Sequence, residues 1–62
     1  MIIIYFMYKS VTDHKWHEDT KIFYDVKKAL RFLYATQSKF IITGWTCENP
    51  EDNDYLNYRW HK

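Results

Sequence analysis

The chain opens on MIIIYFMY, residues 1–8, a run of β-branched, aromatic and sulfur-bearing side chains with no polar interruption. Such a run reads as a strand covered on both faces and placed centrally in a sheet. A buried helix is the competing reading, but the run is short and its Ile and Tyr content favours extended chain. Left uncovered, a strand of this composition would invite aggregation, so its edges are expected to be paired. Thr12, Asp13 and His14 then suit a turn, although no glycine marks a tight hairpin. From Lys15 to Phe23 the pattern is polar, with Trp16, Ile22 and Phe23 as its apolar members. This predicts an edge strand guarded by the charges of Lys15, Glu18, Asp19 and Lys21.

The clearest element follows. Asp25 is a good N-cap, and Val26, Ala29, Leu30, Leu33 and Gln37 recur at helical spacing, which predicts a helix from about Asp25 to Gln37 with one apolar face. Lys27, Lys28 and Arg31 fall on the opposite side, with Tyr34 beside Lys27. Phe40 to Cys47, FIITGWTC, is rich in β-formers and predicts a third strand. Gly44 inside it points to a bulge or to a close approach by another group. Beyond it, Asn49 as cap, Pro50 at the first helical position and Glu51 and Asp52 in the first turn predict a short helix from Pro50 to about Asn57. Leu56, Tyr58 and Trp60 also alternate as a strand would, so the strand reading stays open for this segment.

These elements give an α+β fold. We expect a small three-stranded antiparallel sheet with one main helix packed on one face, in the order β-β-α-β, and a short C-terminal helix or strand. No internal repeat, linker or low-complexity tract divides residues 1–62, which read as a single domain. With one helix on one face, the opposite face of the sheet is the natural place for a partner or a second subunit.

Composition sharpens that expectation. Three tryptophans, six tyrosines and four phenylalanines stand in 62 residues, with one glycine and one proline. A domain of this size buries only about 60% of its unfolded surface, so part of the aromatic load must lie outside or against another chain. The single Cys47 excludes an internal disulfide, leaving dense packing and self-association as routes to stability; a homodimer is expected. Trp16, Tyr24, Tyr34, Trp45, Tyr55, Tyr58 and Trp60 are the candidates for exposed contact aromatics, each weighed against a place in the core.

The formal net charge of +1 marks neither a nucleic-acid binder nor an acidic mimic, but charge is unevenly placed. Glu48, Glu51, Asp52 and Asp54 form an acidic segment, and Glu51, Asp52 and Asp54 with Tyr55, Tyr58 and Trp60 are the expected protein-contact residues. The same acids also suit the first turn of a helix on dipole grounds alone. Lys27, Lys28, Arg31 and Tyr34 make the charge-and-stacking face that single-stranded nucleic acid uses, and equally the solvated face of any helix. His14, His17, His61 and Cys47 are the only conceivable metal set. Lacking a CxxC or HExxH pattern, they read as exposed histidines around a turn, and no metal or cofactor is expected. Cys47 has no activating motif, no carboxylate pair is placed for acid–base work, and no enzymatic activity is expected. One lone cysteine suits a reducing compartment, and the opening run is too short to span a bilayer and lacks a basic flank; the chain reads as cytoplasmic, without membrane association.

KALRFLY, from Lys28 to Tyr34, and IITGWTCENPEDNDYL, from Ile41 to Leu56, resemble very small uncharacterised proteins of phages and mobile elements of low-GC Gram-positive bacteria. The resemblance implies a bacterial host cell and an accessory role. It suggests a protein that binds and inhibits a host protein or defence complex, and carries over no catalytic residue.

Overall fold

The computed structural model describes residues 1–60. Its elements follow in the order β1 (Ile2–Lys9), β2 (Trp16–Phe23), α1 (Val26–Thr36), β3 (Ile41–Cys47) and α2 (Pro50–Arg59). The sheet order is β2-β1-β3, with both neighbours antiparallel to the central β1. Strands β2 and β3 therefore run parallel to each other on opposite edges, and the chain must cross from one edge to the other; α1 makes that crossing.

Local chemistry sets the boundaries. The Asp25 carboxylate accepts the Lys27 N–H at 2.9 Å and starts α1, while the Asn49 side chain accepts the Glu51 N–H at 2.9 Å ahead of Pro50 and starts α2. Helix, not strand, is thus the state of residues 50–59. With no glycine at its end, α1 closes when the Thr36 carbonyl accepts the N–H groups of Lys39 and Phe40 at 2.9 and 2.7 Å. The loop between β1 and β2 closes through the Ser10 N–H to the Lys15 carbonyl at 2.9 Å and the Asp13 carboxylate on the Lys15 N–H at 2.9 Å. His14 takes φ 59° there, a left-handed conformation that the sequence had no glycine to supply. His14→Gly should raise the unfolding free energy by about 0.5–1 kcal/mol by removing the Cβ penalty, read from urea melts.

Both helices lie on the same side of the sheet. Ile2, Ile4 and Phe6 of β1, Ile42 of β3, Ala29 and Leu33 of α1, Leu56 of α2 and Trp60 just beyond it form the buried core. The two periodicities are visible in that set, every second residue of β1 and every fourth of each helix. At one end Phe6 stacks on Phe40 with centroids 4.7 Å apart and 10° between planes, and Phe32 tilts against Phe6 at 5.6 Å and Phe23 at 5.2 Å. Two side-chain bonds fix α2: the Trp45 indole donates to Asn53 at 3.1 Å, and the Tyr34 hydroxyl donates to the Arg59 carbonyl at 2.6 Å.

Two expectations need correction. Strand β1 is covered on one face only, because both helices fall on the side of Ile2, Ile4 and Phe6. Gly44 permits no close approach, since a Cβ there would meet nothing within 4 Å. The bulge it signalled is present beside it: Gly44 pairs with Tyr5 and Ile42 with Phe6, leaving Thr43 as the extra residue on β3.

Candidate interaction surface

The uncovered face of the sheet follows from pairing register. Residues directly opposite in antiparallel strands share a face, so Ile3 with Ile22, Tyr5 with Thr20 and Met7 with Glu18 point away from the helices. On the other edge Ile3 faces Thr46 and Met7 faces Ile41. The result is an apolar band of Ile3, Tyr5 and Met7 along β1, flanked by Ile22 and Trp16 on one side and Ile41 on the other. Trp16, Ile22 and Ile41 are each about half exposed, at 52%, 50% and 53%. Tyr5 leans toward β3, where its hydroxyl lies 3.4 Å from the Thr46 hydroxyl. A depression of about 480 Å³, lined by Tyr5, Glu18, Thr20 and Thr43 among others, interrupts the surface.

Three strands about 4.8 Å apart, two of eight residues and one of seven, make a face of roughly 400 Å². Lys9, Glu18, Thr20 and Thr46 are its polar members, so the apolar band occupies part of that area. Sequence patterning located the face but not its members. Ile3 and Met7 are phased outward only by the register with β2, and Ile22 and Ile41 look like core residues until the edges are known.

The acidic segment lies elsewhere. Glu51, Asp54 and Tyr58 are exposed on the outer side of α2, Tyr58 at 78%. Asp52 and Tyr55 are half-buried, with the Arg59 guanidinium 5.3 Å above the Tyr55 ring. Trp60 does not belong with them: it is 6% exposed, edge-on to Tyr34 at 5.1 Å, and is a core residue. Its indole Nε1 is buried and has no hydrogen-bond partner among the described residues. Gln37, Phe40, Ile41 and Ile42 join Trp60 around a cavity of about 270 Å³.

Lys27, Lys28 and Arg31 are exposed on the outer side of α1, and Tyr24, the residue before its cap, is 85% exposed. Tyr34, expected among them as a stacking group, is instead half exposed and bound through its hydroxyl to the end of α2. Tyr24, one of the expected exposed aromatics, directly precedes the cap.

The remaining candidates are dispersed. His17 is held against Asp13 at 2.9 Å and stacks on Tyr8, His14 forms the turn, and His61 lies outside the described residues. The Lys15 N–H, followed by the His17 ring, holds the Asp13 carboxyl below the usual carboxylate range. Burial pushes the Cys47 thiol up, and the Asp52 carboxylate acts in the same direction, which disfavours the thiolate that nucleophilic or metal-binding chemistry needs. Among the described residues no three His, Cys, Asp or Glu side chains gather as metal ligands, and no helix is long and apolar enough to cross a membrane. Comparison with family models, with curated proteins and with solved structures finds no match.

Proposed function

We propose that this chain is a small non-enzymatic protein-interaction module whose contact surface is the uncovered sheet face. The observation that carries this is the placement of Ile3, Tyr5, Met7, Trp16, Ile22 and Ile41 on one side of the sheet with no element over them. Burying such a band against a partner gains about 25 cal/mol per Å² of apolar surface removed from water, and Tyr and Trp are the side chains that most often dominate binding energy. The resemblance of Lys28–Tyr34 and Ile41–Leu56 to very small phage and mobile-element proteins supports a setting in the host cytoplasm. There the module would occupy and inhibit a host protein or defence complex. Glu51, Asp54 and Tyr58 form a separate acidic contact on α2 suited to a basic groove.

A second reading is favoured by the exposure of Lys27, Lys28 and Arg31 on α1 and of Tyr24 just before its cap: the outer side of α1 would take single-stranded nucleic acid by charge and stacking.

Affinity capture from host lysate, with and without nuclease, separates the readings. Trp16→Thr, Ile22→Thr and Ile41→Thr together remove apolar area while keeping β-propensity, and should lower capture of a nuclease-resistant partner by about 30-fold or more. Glu51→Gln, Asp52→Asn and Asp54→Asn should lower it about 3- to 10-fold if α2 contributes. Capture that vanishes with nuclease and with charge reversal of Lys27, Lys28 and Arg31, yet survives the threonine variant, would replace the first reading by the second.

A further inference from the structure

Beyond partner binding, the free edge of β2 carries a self-complementary code. We propose that two copies of the chain pair antiparallel through β2, about a two-fold axis at Thr20, to form one six-stranded sheet.

The backbone orientation comes from one bond. The Asp19 carboxylate accepts the Thr20 N–H at 2.7 Å. A carboxylate does not fit in the gap of about 4.8 Å between paired strands, so this N–H faces the free edge. In a strand, N–H and C=O groups alternate in direction, so the even-numbered residues from Trp16 to Ile22 present their backbone groups outward and those between serve β1.

Side chains then choose the register. A two-fold axis between antiparallel strands pairs residues that share a face, so it must sit on a residue. Centred on Glu18, Asp19 or Lys21, it sets a charge opposite the same charge, which is unfavourable. Centred on Thr20, it sets Thr20 opposite Thr20, and Asp19 opposite Lys21 twice, once on each side of the axis. Asp19 and Lys21 are both exposed and lie on the same face. Their positions are of the non-hydrogen-bonded kind, where side chains come closest. Thr–Thr and opposite-charge pairs are the favourable polar cross-strand combinations. This register also overlaps nearly the full strand. On pairing, the Thr20 N–H passes to the partner's Thr20 carbonyl and the Asp19 carboxylate passes to the Lys21 ammonium of the second copy, so no donor is stranded. The other edge is less suited, because the bulge at Thr43 bends β3 away from a regular ladder.

Sedimentation velocity of the purified protein over a concentration series tests the pairing, with circular dichroism confirming the fold of each variant. Asp19→Lys places like charges opposite each other twice and should weaken the dimer about 10- to 30-fold. The swap Asp19→Lys with Lys21→Asp should restore it to within about 3-fold. In a Cys47→Ala background, Thr20→Cys should form an intermolecular disulfide under mild oxidation, since directly opposed residues stand at about 5.5 Å, within disulfide reach. Glu18→Cys alone should not, yet should cross-link to Ile22→Cys when the two are mixed. A protein monomeric up to about 1 mM overturns the proposal. So does a dimer indifferent to Asp19→Lys but lost in the Trp16, Ile22 and Ile41 threonine variant, which would place the interface on the open face.

Discussion

Leu33→Ala should leave a large part of the chain unfolded at 37 °C. Leu33 is fully buried on α1's inner face, in one core cluster with Ile2, Ile4, Phe6 and Leu56. Truncating such a side chain costs about 2.7–5 kcal/mol, the transfer loss plus the cavity left behind. A chain of 62 residues has a total stability of roughly 3–9 kcal/mol. The loss is therefore comparable with the whole. Thermal and urea melts followed by circular dichroism should show the midpoint collapsing, whereas Ile22→Ala on the open face should shift it by less than about 1 kcal/mol. Equal effects from the two would mean that the open face is structural rather than available.

Trp60→Ala should be nearly as damaging, although Trp60 stands near the end of the chain and reads from the sequence as a surface contact. Its ring is 6% exposed, meets Tyr34 edge-on, and follows α2 through a 2.8 Å bond from its N–H to the Leu56 carbonyl. Losing the ring costs about 3–5 kcal/mol and releases α2 from α1. Trp60→Phe should be far milder, within about 1 kcal/mol of the parent. The smaller aromatic ring keeps most of the apolar packing against Tyr34 and the core. Tyr58→Ala, at a residue 78% exposed, should leave stability unchanged to within about 0.5 kcal/mol. An unfolding midpoint insensitive to Trp60→Ala would return this residue to the contact surface.

The elements were legible where the sequence carries a directional signal. Asp25 and the Asn49-Pro50 pair announce helix starts through their own backbone hydrogen bonds, and the charges of β2 announce an edge. Residues 56–60 were ambiguous because Leu56 and Trp60, four apart, satisfy a period of two and a helical turn equally. Tyr58 decides between them by facing water. The opening run misled in a different way. Ile, Tyr, Phe and Met in unbroken sequence carry no polar phase, so nothing local says which side is covered. That depends on how many helices the chain can supply and on which side they land. The left-handed His14 was hidden for a related reason, since the loop closes through main-chain geometry that histidine tolerates at a cost.

Along β1 the residues of the fold and those of the open surface are interleaved one for one. Ile2, Ile4 and Phe6 answer to the core, and Ile3, Tyr5 and Met7 to whatever meets the outer side. Substitutions at the outward positions can therefore change the open surface while the inward set stays fixed and the architecture with it. In so short a chain, a single strand supplies both the inward half of the core and the middle of the open face.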